Sequence, residues 1–185
     1  MNSITNFSFR GTRNYLQGTA LFDYLVKLDS EPENVDFVLH KETTSQCRVV
    51  PEREEDNEAT LVATYKSKGM KSYVYETLEK ISAHCTCNEQ EILSHIAISE
   101  TRVSCPFPIS SATFVEVVVA AYKALLSSLP LYKGQRLIFA RLIVDRIPKQ
   151  NGFVVEHRRS LGQSFFEASI LFESQSIGKL IFGSK

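Results

Sequence analysis

Two carboxylates interrupt stretches that are otherwise apolar and helical in pattern. Asp23 lies in GTALFDYLVKL (18–28), and Glu116 lies in SATFVEVVVAAYKALLSSL (111–129). A carboxylate held on a helix can serve as a general base or as a nucleophile. It can also be purely structural, and the surrounding residues separate the two cases. Glu116 follows Thr113 by three residues. That is the T-x-x-E pattern of a capping box, in which the acid only satisfies N–H groups at the helix start. Asp23 has Ala20 at that position and Lys27 four residues after it. Its structural role would be an exposed i,i+4 ion pair worth only about 0.3–0.5 kcal/mol. Just before Asp23, Asn14 and Gln17 carry amides that can hold a carbonyl or a water. Gly18 has no side chain to keep a ligand at a distance.

Other residues suggest chemistry more weakly. HCTC (84–87) gathers His84, Cys85 and Cys87. It looks like part of a zinc site but lacks the C-x-x-C spacing and a second knuckle, so a strand with alternating faces is favoured and no metal is expected. Arg10 and Arg13, Lys66, Lys68 and Lys71, or Arg158 and Arg159 could meet phosphates, though such groups are usually solvated polar faces. GTRNYLQG and LSSLPLYKG lack the spacing of phosphate-binding glycine loops, which argues against nucleotide hydrolysis. Lys+Arg and Asp+Glu both number 21, so no basic surplus points to nucleic acid. No apolar stretch reaches the roughly 18–20 residues that span a bilayer, and MNSITNFSFRGTRNYLQ has no signal-like apolar core. The expectation is a cytoplasmic protein without a membrane partner, and four cysteines do not require disulfides.

The elements that must position these residues follow from periodicity. Apolar residues at 21, 22, 25, 26 and 28 predict a helix with one buried face. The run from 111 to 129 is apolar on most of its surface, which predicts a helix enclosed by other structure and ended by Pro130 and Gly134. Strands are predicted at 34–42, 59–67, 71–85, 91–99, 135–147, 152–160, 163–173 and 178–183. PEREEDNE (51–58) reads as a charged loop and PKQNG (148–152) as a turn. The order is helix then about four strands, twice. Aligning the helices sets Gly18 on Ser111 and Asp23 on Glu116, an offset of 116 − 23 = 93 residues. Ser67 and Gly69 of KSKGMKSYVYE meet Ser160 and Gly162 of RSLGQSFFE at the same offset. A duplication is therefore expected, with one repeat over 1–100 and the other over 101–185.

A central, nearly all-apolar helix followed by long antiparallel strands resembles the hot-dog fold, in which a curved sheet wraps one helix. RRSLGQSFFEASILFESQSIGKLIFGS (158–184) is similar to the last strands of hot-dog acyl-thioesterases, with a basic-x-x-Gly-x-Ser-aromatic step and a small residue before the final strand. YKSKGMKSYVYE is a fainter copy in the first half. The resemblance implies an α+β double hot dog, two repeats each with a central helix wrapped by an antiparallel sheet, fused as one pseudo-dimer. A single repeat of this size has little core of its own.

That resemblance also implies a chemistry: binding or turnover of acyl thioesters of coenzyme A or an acyl carrier protein, in fatty acid or polyketide metabolism. The thioester carbonyl would lie at a helix N-terminus, where free N–H groups stabilise an oxyanion. Dehydratases of this fold open the helix with Gly and place Glu five residues later. Gly18–Asp23 and Ser111–Glu116 keep that spacing, so Asp23 and Glu116 become the candidate catalytic acids. Asn14, Gln17, Gly18, Thr19 and Ser111 become the candidate substrate-binding residues. The dehydratase also needs a His before the helix, and 7–17 and 101–110 contain none. His40, His84, His95 and His157 all fall on predicted strands or their ends. A thioesterase with Asp23 as base is therefore the leading expectation. A dehydratase-like enzyme and a non-catalytic acyl-binding module are the alternatives. No cofactor is expected, and the resemblance leaves room for a homodimer of double hot dogs without fixing the oligomeric state.

Overall fold

The structure is a computed structural model that describes residues 3–54, 59–87, 89–109, 111–130, 132, 134–162 and 164–184. Residues 55–58 of the expected charged loop lie outside the described residues. The chain divides into two compact units, Met1–Cys87 and Asn88–Lys185.

The first unit runs β1 (Ser3–Ile4), β2 (Phe9–Arg10), α1 (Gly18–Leu28), β3 (Glu33–Leu39), β4 (Ser45–Val50), β5 (Leu61–Lys66), β6 (Lys71–Lys80) and β7 (His84–Cys85). α1 has the predicted bounds. Leu21, Phe22 and Leu25 form its buried stripe, and the Phe22 ring meets Phe37 edge-on at 5.7 Å and Tyr65 at 6.4 Å. β1, β4, β6, β5 and β3 lie side by side in that order, with antiparallel neighbours. A second, two-residue ladder pairs β2 with β7 in parallel, Phe9 opposite His84 and Arg10 opposite Cys85.

In the second unit come α2 (Glu89–His95), β8 (Ala97–Ser99), β9 (Arg102–Cys105), α3 (Phe114–Ser128), β10 (Leu137–Arg146), β11 (Phe153–Leu161), β12 (Phe165–Phe172) and β13 (Gln175–Ser184). β10, β13, β12, β11, β9 and β8 are neighbours in that order, all antiparallel. Nine of the fifteen residues of α3 are buried, among them Val117, Val118, Ala121, Tyr122, Leu125 and Leu126. That enclosure is what an apolar surface on nearly every side requires. Lys123 is exposed and pairs with Glu89 of α2 at 3.2 Å.

Three readings of the sequence need correction. EILSHIAIS was expected as one strand but splits into the end of α2 and the short β8. Only Ile92 of α2 is buried, so a single turn-spaced contact, with Glu89 and Glu91 in the first turn, outweighs the β-branched residues. His95 is therefore helical. The expected strand 71–85 ends at Lys80, because the chain turns away at Ile81, whose N–H donates to the Thr44 carbonyl at 3.0 Å. β4 went unforeseen: five of its six residues are buried, which removes the alternation that reveals a strand. The sequence division after residue 100 compares with Cys87 in the structure, since α2 packs on α3 and β8 pairs with β9.

The connections differ between units. Counting strands after each long helix, the first unit places them 1-3-4-2 and the second 1-4-3-2. The hairpin carrying Gly69 joins the third and fourth of these strands, and the one carrying Gly162 joins the second and third.

Candidate active site at the start of helix α1

The sequence before α1 offers no capping residue, and the structure shows the consequence. Gln17 is the N-cap by backbone geometry but gives no side-chain cap. Its carbonyl accepts from Ala20 N–H at 3.0 Å and from Leu21 N–H at 3.4 Å. Among the described residues, the N–H groups of Gly18 and Thr19 carry no hydrogen bond, although both residues are buried. Buried backbone donors are nearly always paired, so this helix end has unused donor capacity.

Charged side chains gather at the same end. Thr19 and Asp23 lie four residues apart and so share a face of α1. Arg10, reaching over from β2, touches both: Nη1 donates to Thr19 Oγ1 at 3.4 Å, and Nη2 lies 3.7 Å from Asp23 Oδ2. The two charged side chains are only 19% and 14% exposed. A guanidinium and a carboxylate are thus held together where screening by water is reduced. Sequence reasoning placed Arg10 in a solvated loop and Lys27 beside Asp23; the short ladder with β7 is what aims Arg10 at α1.

Arg13 forms the next layer. With its amide oxygen facing Arg13, Gln17 accepts from Nε at 2.7 Å and from Nη1 at 3.1 Å, which leaves the amide NH2 as a donor. Nη1 also lies 3.6 Å from Cys87 Sγ. Gly11 makes the turn between the two arginines at φ +62°, a left-handed conformation that favours glycine, and a Cβ there would meet Cys87 Cβ at 3.4 Å. His84 Nδ1 lies 3.0 Å from the Gly11 carbonyl. A carbonyl only accepts, so Nδ1 is the donor in this contact. The loop before α1 contains no histidine, yet β7 brings one beside it. Nothing local in the sequence signals this, because the partners are more than seventy residues apart. Asn14 is exposed in the same loop. Among the described residues no group of three or more His, Cys, Asp or Glu is placed to hold a metal ion.

The start of α3 differs in its side chains and not in its first two backbone donors: among the described residues the N–H groups of Phe114 and Val115, both buried, likewise carry no hydrogen bond. Thr113 Oγ1 accepts from Glu116 N–H at 3.4 Å, and Glu116 Oε2 accepts from Thr113 N–H at 2.7 Å, a complete capping box. Ser111 donates its hydroxyl hydrogen to the Glu91 carboxylate of α2. The carboxylate and the hydroxyl that match Asp23 and Gly18 in sequence are both engaged within the second unit.

A second polar cluster lies on α3 and β11. Tyr122 OH is 2.8 Å from His157 Nδ1, and Ser160 Oγ is 3.2 Å from His157 Nε2. A bulge between His157 and Arg159 sets His157 opposite Ala168 and Ser160 opposite Phe166, two partners on one face of β12, so the side chains of His157 and Ser160 share a side despite their odd spacing. The trio has the connectivity of a Ser–His relay, and the direction of both hydrogen bonds depends on the tautomer of His157. Burial and the Glu167 charge push the Tyr122 phenol well above its ordinary pKa, so it stays protonated. Burial lowers the His157 pKa.

No family model matches the chain, and no curated protein matches it. Among solved structures, the chain is similar to a Thermobifida fusca YX protein assigned as a thioesterase II, at 10% identity and TM-score 0.47, over 95% of this chain and 88% of that one. It is similar to the tesB protein of Mycobacterium avium subspecies paratuberculosis at 12% identity and TM-score 0.47, over 96% and 90% of the two chains. A dehydratase domain from the CurF module of the curacin polyketide synthase is similar at 8% identity and TM-score 0.44, over 92% of this chain and 84% of that one.

Proposed function

We propose that the chain acts on acyl thioesters as a hydrolase, with Asp23 as the base. The observation that carries this reading is one helix end that combines two unpaired backbone donors with a carboxylate held by a guanidinium. In the reaction, Asp23 takes a proton from water as its oxygen adds to the thioester carbonyl carbon. The Gly18 and Thr19 N–H groups bind the oxyanion. The carbon–sulfur bond then breaks, and the departing thiolate takes up the proton. Gln17 and Asn14 offer amide donors beside the carbonyl, and Arg10 fixes the orientation of Asp23. Glu116 and Ser111 belong to the scaffold half, which supports a single working site within a double hot dog. Each unit supplies one long helix and an antiparallel sheet, in keeping with that architecture, although the strand orders differ.

The test is thiol release from a panel of acyl-CoA and acyl-carrier substrates. Hydrolysis by the wild type that is lost in Asp23→Asn supports the assignment; no hydrolysis, or full activity in the variant, defeats it. His84 favours a second reading, a dehydratase-like enzyme, because it brings an imidazole beside the loop before α1. Loss of enoyl absorbance on hydration, abolished by His84→Asn, would distinguish that reaction from hydrolysis. Ligand-induced thermal stabilisation without turnover would identify an acyl-binding module instead.

A further inference from the structure

The four cysteines form two classes. Cys47 and Cys105 are buried in strands, where burial pushes both thiols up to about 12, with Glu76 adding to the effect at Cys47. Cys85 and Cys87 are exposed and lie two residues apart at the end of β7. Cys87 Sγ faces the Arg13 guanidinium at 3.6 Å, and Arg13 is also the partner of Gln17, the residue that begins α1. Redox-responsive cysteines characteristically combine solvent access, a cationic neighbour and a second cysteine within reach.

We infer that Cys87 is a site of reversible oxidation by hydroperoxides, with Cys85 as its resolving thiol. The Cys87 thiolate attacks one peroxide oxygen and the O–O bond breaks. Sulfur is oxidised to a sulfenic acid, and the other oxygen leaves as water or an alcohol after taking a proton. The Cys85 thiolate then attacks the Cys87 sulfur, the S–O bond breaks and hydroxide departs as water. A dithiol of the cell supplies the two electrons that restore both thiols. Two residues of extended chain advance about 6.6 Å. This is within the upper part of the roughly 4.4–6.8 Å that disulfides span between Cα atoms. β7 ends at Cys85, so residues 86 and 87 are outside the ladder and can shorten that span. Oxidation would also change the sulfur that Arg13 faces, at the start of α1; that regulatory consequence rests on the thioesterase reading, whereas the sulfur chemistry does not.

The test is peptide mapping of the full chain after graded hydrogen peroxide, with dimedone as the sulfenic acid trap. The expected result is loss of two hydrogens from the peptide containing Cys85 and Cys87, reversed by dithiothreitol, before Cys47 or Cys105 reacts. In Cys85→Ser, oxidation should stop at a dimedone adduct on Cys87. In Arg13→Gln, with its melting temperature checked, Cys87 should oxidise several-fold more slowly. The inference is overturned if Cys85 and Cys87 react no faster than the buried pair, if Cys85→Ser gives no adduct on Cys87, or if a folded Arg13→Gln variant oxidises at the wild-type rate. Failure of the wild type to hydrolyse any thioester would defeat the functional proposal and leave this mapping result standing.

Discussion

The sequence offset of 116 − 23 = 93 residues pairs Asp23 with Glu116, but the helices begin 114 − 18 = 96 residues apart, so Asp23 is the sixth residue of α1 and Glu116 the third of α3. At α3 the acid is consumed locally: Glu116 closes a capping box with Thr113. At α1 no side chain caps the helix, and the acid is held from outside by Arg10 on another strand. The comparison teaches that the partner of the acid differs: Glu116 is bound to the backbone at its own helix start, whereas Asp23 meets a guanidinium from β2. At α3 Glu116 is the third helical residue and reaches the N-cap Thr113, whereas at α1 Asp23 is the sixth helical residue and the N-cap, Gln17, gives no side-chain cap.

Four experiments would break or sharpen this contrast. The largest effect is expected from Asp23→Asn, which should lower thioester hydrolysis by roughly 10²–10⁴-fold, the range of a general base. Glu116→Gln should leave turnover unchanged, and equal losses in both variants would erase the distinction. Next, Gln17→Ser would give α1 the cap it lacks. A cap worth about 1 kcal/mol would engage the α1 donors and cut hydrolysis about fivefold while raising the urea midpoint. A stabilised variant of undiminished activity would show that these N–H groups do not meet the substrate. Smaller still, Thr113→Ala should cost about 1 kcal/mol in chemical denaturation, with kcat/KM retained.

The last experiment concerns pH. Burial depresses the folded-state pKa of His157 below its ordinary 6.5. The unfolded chain therefore binds this proton first, and the stability from keeping His157 neutral is present above pH 6.5 and lost as pH falls from there through the lower folded value. His157→Asn should flatten the melting-temperature profile in that window. It should leave the pH dependence of hydrolysis intact, because His157 lies outside the proposed site.

Local features were legible in the sequence. The apolar spacing of Leu21, Phe22 and Leu25 set α1, and T-x-x-E announced the α3 cap in the chain itself. What escaped were contacts between distant segments. Arg10 read as a solvated loop residue because its aim depends on pairing with Cys85, and His84 read as a strand residue far from the loop it joins. β4 was silent for another reason: burial on both faces leaves SQCRVV without alternation. The difference in strand order was equally hidden, since periodicity identifies strands but does not say which neighbour each one takes.

The two-residue ladder between β2 and β7 bears on how the protein is made. It ties the beginning of the first unit to its end, closing a loop of more than seventy residues. Closing so long a loop carries an entropic cost, so this pairing is expected to form after the more local ones. During synthesis Asp23 and Arg10 leave the ribosome early, but the strand that sets Arg10 in place follows only with His84 and Cys85. An N-terminal fragment ending before His84 would contain every α1 residue of the candidate site and still lack its wall.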